Sequence, residues 1–204
     1  MDVGGIFSTR NGMQEVRQEH YGLCNMSWKT ISSEKLVDDF HVSVRKNRVQ
    51  LPDGAMIDDF YTVEIPDAAM ICAITSDGEV LLKKEYRYAC QEDVIECPAG
   101  MFDAGETDPL VVAKRELLEE TGYASDDWTY FGPTWESTSK LTNRMHLYMA
   151  RKCKKMSEQH LDENEHLDLI RVPMEKAVEM VMNGEINANS TAHLVLKVAR
   201  MIRA

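Results

Sequence analysis

The longest unbroken apolar stretch runs from Ala68 to Ile74, seven residues. That length suits a strand buried on both faces, and falls far short of the roughly 20 residues that a membrane helix needs. Shorter alternations surround it. From Trp28 the pattern is β: Phe40, Val42 and Val44 alternate with polar neighbours, and a basic turn at Arg45 to Asn47 leads to Val49 and Leu51. Asp53-Gly54 marks a turn, and Phe60 to Ile65 predicts a further strand. Asp77-Gly78 closes a tight hairpin into Glu79–Tyr88, and Val94–Cys97 is a short strand stopped by Pro98. Later strands are predicted near Thr129–Phe131, Met145–Ala150 and Leu167–Val172.

Pro109–Thr121 carries the clearest helix signature. Asp108 can cap it, Pro109 suits the first helical position, and Gly122 suits a left-handed stop. Two more helices are predicted, Met174–Met182 and Ser190–Ile202, separated by Asn183-Gly184. Many strands with few, late helices argue for an α+β chain or for a mixed sheet between helices. The expected organisation has three parts. Residues 1–25 are polar and weakly patterned, either a leader without order or a helix over Met13–His20. Residues 26–65 form a small antiparallel β segment, and residues 66–204 form the main domain.

Composition narrows the partners. Of 204 residues, 44% are hydrophobic and 28% charged, an ordinary globular mix. A net charge of −11 repels nucleic-acid backbones and anionic membranes, so neither is an expected partner. A phosphorylated substrate stays admissible if cations bridge it to the protein. No basic start precedes an apolar stretch in the first 25 residues, so they do not read as a secretory signal. The five cysteines (Cys24, Cys72, Cys90, Cys97 and Cys153) form no CxxC pair, which points to reduced thiols in the cytoplasm.

The chemistry concentrates in PAGMFDAGETDPLVVAKRELLEETGY, Pro98 to Tyr123. On the predicted helix Glu116, Glu119 and Glu120 fall on one face, and Leu110, Ala113 and Leu117 form a stripe pointing away from it. Crowded carboxylates repel, and a divalent cation relieves them, because magnesium and manganese prefer oxygen ligands. Without its flanks the cluster reads first as a solvated acidic face with Arg115 paired to Glu119. Gly100, Gly105 and Gly122 around the helix favour the other reading, since they allow close backbone approach to a metal-bound phosphate.

This segment resembles the Nudix box, G-x5-E-x7-R-E-U-x-E-E-x-G-U with U apolar. Gly100, Glu106, Arg115, Glu116, Leu117, Glu119, Glu120, Gly122 and Tyr123 match it in type, but eight residues rather than seven separate Glu106 from Arg115. The flanks, residues 28–54, 83–100 and 162–186, are similar to the ADP-ribose pyrophosphatase branch. The resemblance implies a Nudix α/β/α sandwich with a mixed sheet, preceded by a small N-terminal antiparallel β segment. It further implies Mg2+, with Mn2+ as the alternative, on Glu116, Glu119, Glu120 and the carbonyl of Ala99. Arg115 would orient Glu119 or the preceding loop. Glu165 would act as base or metal ligand, although a DENE run by itself reads as solvated loop. Arg87, Glu96 and Gly100 would meet substrate, Arg87 alternatively pairing with Glu85 or Glu96. Tyr86, Tyr88 and Trp135 read as packing residues rather than as a base-stacking platform.

The implied reaction is hydrolysis of ADP-ribose to AMP and ribose 5-phosphate. GDP-mannose or another nucleotide sugar is the alternative, since Ser139-Lys140-Leu141 and Asn143 depart from the branch pattern where substrate choice is made. A nucleotide-sensing module without hydrolysis would ordinarily have lost the box carboxylates, which are all present here. The branch also implies a homodimer through the N-terminal sheet, and an exposed sheet edge is a physical reason for pairing.

Overall fold

The computed structural model describes residues 27–161 and 166–203. Three strands come first: β1 (Lys29–Asp38), β2 (Ser43–Gln50) and β3 (Met56–Glu64), antiparallel in the order β1-β2-β3. The expected basic turn at Arg45–Asn47 is not there, for these residues lie inside β2. The chain turns earlier, where the Asp39 N–H donates to the Val42 carbonyl at 3.1 Å. Cross-strand partners explain the difference. Arg45 donates to Glu64 at 2.6 Å, Arg48 to Asp58 at 2.7 Å, and Asn47 to the Thr62 hydroxyl at 3.0 Å. Basic residues here serve the polar positions of a strand whose neighbour carries the acids.

The second sheet has eight strands. They are β4 (Ala68–Thr75), β5 (Glu79–Arg87), β6 (Glu92–Glu96), β7 (Ala99–Met101), β8 (Tyr123–Ala124), β9 (Asp127–Trp135), β10 (Arg144–Lys155) and β11 (Leu167–Pro173). Its path is β11-β5-β4-β10-β8, with β6 on β5, β7 on β4 and β9 on β10. β4 and β10 run parallel, with Ala68 opposite Met145, and the other pairs are antiparallel. The helices are α1 (Pro109–Thr121), α2 (Met174–Met182) and α3 (Asn189–Ile202).

The apolar run of β4 divides by parity, as strand geometry requires. Met70 and Cys72 join Leu82, Leu147 and Met149 in a core closed by Ala177, Leu194, Val195 and Val198 of α2 and α3. Ala69, Ile71 and Ala73 join Leu81 and Tyr148 in a second core, closed by Val112, Ala113 and Leu117 of α1. Each fully buried leucine or isoleucine contributes about 1.5–3 kcal/mol. The result is a mixed sheet between helices, with the small antiparallel sheet beside it. Val63 of β3 ties the two together, donating to the Lys140 carbonyl at 2.8 Å and accepting from the Thr142 N–H at 3.1 Å.

Helix α1 has the bounds that its caps predict. Asp108 accepts the Leu110 N–H at 2.9 Å, and Gly122, at φ +73°, donates to the Leu118 carbonyl at 2.8 Å.

Candidate active site

Helix α1 buries two carboxylates as well as its apolar stripe. Glu116 and Glu120 are 7% and 1% exposed, whereas Val111 and Leu118 face solvent. Carboxylates are rarely buried so fully without a partner. The second core fixes the helix through Ala113 and Leu117, and this turns the glutamate side toward β5 and β7. Between them lies an open cleft of about 430 Å³.

Each carboxylate in the cleft has a counter-charge. Glu120 forms a very close ion pair with Lys83 through Oε1, and its Oε2 accepts the Ala99 N–H at 2.9 Å. Lys83 is itself 2% exposed and lies 3.3 Å from Glu85. Burial alone would depress its ammonium; the Glu120 carboxylate outweighs that, so Lys83 is held charged above the ordinary lysine range. Arg115 gathers the rest. Its Nη1 donates to Glu116 at 2.7 Å and Glu119 at 3.1 Å, and its Nη2 to the Met101 carbonyl and to Glu106, both at 3.1 Å. Glu106 also accepts the Asp103 N–H at 2.8 Å. The inserted residue therefore leaves Glu106 within reach of Arg115.

Gly100 completes the cradle. A Cβ placed there would lie 1.9 Å from Glu116 Oε1, so the buried carboxylate occupies the space that any other residue would fill. Burial raises the Glu116 carboxyl to about 7; Arg115 opposes the rise and the neighbouring Glu120 and Glu119 add to it.

The residues expected from sequence are distributed as follows. Ala99, Gly100, Arg115, Glu116, Glu119, Glu120, Arg87 and Glu96 all line one cleft. Arg87 donates to Glu96 at 2.8 Å and 2.6 Å and reaches Glu85 at 3.3 Å, so its alternative pairing is the one formed. Glu165, and residues 1–25 with Cys24, lie outside the described residues. Tyr86 and Tyr88 do not pack as expected, since both are exposed, Tyr88 at 82%. Tyr86 lies near the end of β5 and Tyr88 in the turn just after it. Trp135 is half exposed, with the Arg144 guanidinium 3.4 Å over its ring. Asn143 is buried, and its Oδ1 has no hydrogen-bond partner.

Lys83 was not singled out from sequence. Its available signal was position: it continues the apolar strand Val80–Leu82 without a break in burial. The segment after β10 also reaches the site, with the His160 N–H donating to the Glu119 carbonyl at 2.8 Å and Gln159 to that of Glu120 at 2.7 Å.

Among the described residues no three His, Cys, Asp or Glu side chains already converge as a metal cage. The donor set nevertheless fits a hard divalent cation. Its groups are all oxygens, and the cleft is lined by five carboxylates (Glu96, Asp103, Glu116, Glu119, Glu120) against three cations, Lys83, Arg87 and Arg115. A diphosphate entering that excess of negative charge requires added positive charge.

Comparison with known proteins agrees with this geometry. A family model described as NUDIX domain matches residues 64–194, and one described as nucleoside diphosphate sugar hydrolase N-terminal domain matches residues 28–63. The chain is 32% identical to a methanol dehydrogenase activator of Bacillus methanolicus, over 80% of this chain and 88% of that protein. It is 29% identical to an ADP-ribose pyrophosphatase of Bacillus subtilis, over 82% and 90% of the two chains. To a GDP-mannose pyrophosphatase of Salmonella arizonae it is 30% identical, over 81% and 92%. A crystal structure of an ADP compounds hydrolase superimposes with a TM-score of 0.74 at 20% identity, covering 86% of this chain and 94% of that one, which shows a shared fold.

Proposed function

The chain belongs to the NUDIX family, as a hydrolase of the nucleoside diphosphate sugar group, and from that premise we propose that it cleaves the diphosphate bridge of ADP-ribose, releasing AMP and ribose 5-phosphate. One observation carries the reading: Glu116, packed against Gly100, and Glu120, bonded to the Ala99 N–H, are buried and line a cleft large enough for a diphosphate.

In this reading the carboxylates of Glu116, Glu119 and Glu120 and the Ala99 carbonyl hold Mg2+ or Mn2+. The cation supplies charge neutralisation of the diphosphate and acidifies a water for attack on phosphorus. The remaining roles belong to the chain. Arg115 fixes Glu116 and Glu119 relative to the Met101 carbonyl and Glu106. Arg87, held in the cleft by Glu96 and Glu85, would turn its remaining guanidinium N–H groups to phosphate oxygens. Glu165, which precedes β11 in the sequence, is proposed as base or metal ligand.

GDP-mannose is the second substrate reading. It draws on the Salmonella relative, and Lys140, between β9 and β10, and Arg144, at the start of β10, are proposed to bear on that choice. We further assign a homodimer through the small sheet. β1 is exposed along its whole length, and Ile31, Leu36 and Val37 are large apolar side chains in solvent. A cytoplasmic location accords with the free thiols of Cys72, Cys90, Cys97 and Cys153. No helix among the described residues is long and apolar enough to cross a membrane.

The test is chromatography of products from ADP-ribose, GDP-mannose and other nucleotide sugars, with magnesium or EDTA, beside Glu120→Gln. Metal-dependent AMP from ADP-ribose, lost in the variant, is expected. Turnover of GDP-mannose alone reassigns the substrate. Binding without turnover of any compound overturns hydrolysis in favour of a sensing module.

A further inference from the structure

We infer that Lys83 is a resident cation of the carboxylate cluster: it competes with divalent metal for Glu120 and so sets how tightly the cleft takes up its ion. The inference rests on the metal-dependent function proposed above.

Four observations carry it. Lys83 is buried, and a lysine that leaves water so completely is almost always committed to a partner. Its ammonium sits directly on Glu120 Oε1, while Glu120 Oε2 takes the Ala99 N–H at 2.9 Å. Of the three helix carboxylates, Glu120 therefore has both oxygens engaged by groups that do not move with α1. Lys83 has one other acid within reach, Glu85 at 3.3 Å. β5 is an interior strand, and Lys83 is flanked in register by Leu169 of β11 and Glu96 of β6.

Arg115 is a different kind of counter-charge. Its part-exposed side chain divides one charge among Glu106, Glu116 and Glu119, so less of it opposes an ion at any one of them. A fixed positive charge at contact distance from a ligand carboxylate opposes a divalent ion on the same group strongly, because little water screens the pair. Lys83 thus supplies charge at Glu120 that a metal would otherwise supply. Glu116 and Glu119 are left as the carboxylates most open to the ion.

A purely structural lysine makes the opposite forecast. Removing it would loosen the cleft and weaken metal binding. The measurement is Mn2+ titration of the full chain by electron paramagnetic resonance and calorimetry, without substrate. Lys83→Met removes the charge and keeps the length. Lys83→Gln keeps a donor for Glu120 if the methionine variant does not fold, and Lys83→Arg keeps the charge. Circular dichroism checks folding.

The expected result is Mn2+ binding at least about tenfold tighter in the folded neutral variants, or one more ion per chain, with Lys83→Arg at the wild-type value. Unchanged or weaker binding in a folded neutral variant overturns the inference, while wild-type binding and metal-dependent turnover leave the proposed function standing. If the wild-type chain binds no Mn2+ and turns over without metal, the metal-dependent reading fails and this inference falls with it.

Discussion

Gly100→Ala tests the cradle most directly. The added methyl would stand 1.9 Å from Glu116 Oε1, 2.0 Å from its Cδ and 2.4 Å from Oε2, where ordinary contact begins at 3.4 Å. The carboxyl group must therefore retreat by about 1.5 Å. Two restraints resist. Arg115 holds Glu116 at 2.7 Å, and α1 is anchored by the buried Ala113 and Leu117. Breaking that charged hydrogen bond costs about 1.5–3 kcal/mol. For a chain of this size each kcal/mol lowers Tm by about 2–4 °C. A metal ligand displaced by more than 1 Å costs roughly 100-fold in rate. The expected variant is folded, melts several degrees lower and hydrolyses ADP-ribose about 100-fold more slowly, as read by AMP release at saturating substrate and magnesium. Gly105→Ala is the control. Its φ of +93° makes alanine strained, but its Cβ meets nothing within 4 Å, so it lowers stability and leaves the rate near wild type. A Gly100→Ala enzyme within threefold of the wild-type kcat would refute the cradle.

Other expectations follow from burial. Glu120→Gln leaves a buried Lys83 short of its main partner and is expected to lose about 3–5 kcal/mol in urea denaturation. The matching Glu119→Gln, whose side chain is 42% exposed, should lose no more than about 1 kcal/mol. Equal losses would show that burial of the pair is not what separates them. Gly122→Ala forces a left-handed alanine whose Cβ would lie 2.2 Å from the Ser157 carbonyl oxygen, so a loss above about 2 kcal/mol is expected on thermal or chemical unfolding. Iodoacetamide at pH 8 should label exposed Cys90 on the native protein and spare Cys72, Cys97 and Cys153 until it unfolds, as read by peptide mapping. Burial also raises the Cys153 thiol to about 11, keeping it unreactive at that pH. Early labelling of Cys153 would contradict the packing of β10.

What the sequence discloses is local, and what it hides depends on elements distant along the chain. Helix α1 is legible to the residue because Asp108, Pro109 and Gly122 act within a turn of its ends. β4 is legible because burial on both faces leaves no polar position. β2 misleads, since Arg45, Lys46 and Asn47 have a turn-like composition, and the partners of Arg45 and Asn47, Glu64 and Thr62, stand on β3. β7 and β8 have three and two residues, too few for a period to register. The candidate site divides along the same line. The carboxylates are visible as helical spacing, and that spacing suggests a solvated acidic face. Their burial follows from β5, whose Lys83 lies 37 residues before Glu120, and from β7, whose Gly100 leaves room for Glu116. A helical wheel has no term for either neighbour. The carboxylates and Arg115 are thus written in one contiguous motif, while the Lys83 charge reaches Glu120 only through the fold. If the cleft takes up a divalent ion as proposed, Lys83, with no place in the motif, is a determinant of its affinity that the box residues alone do not disclose.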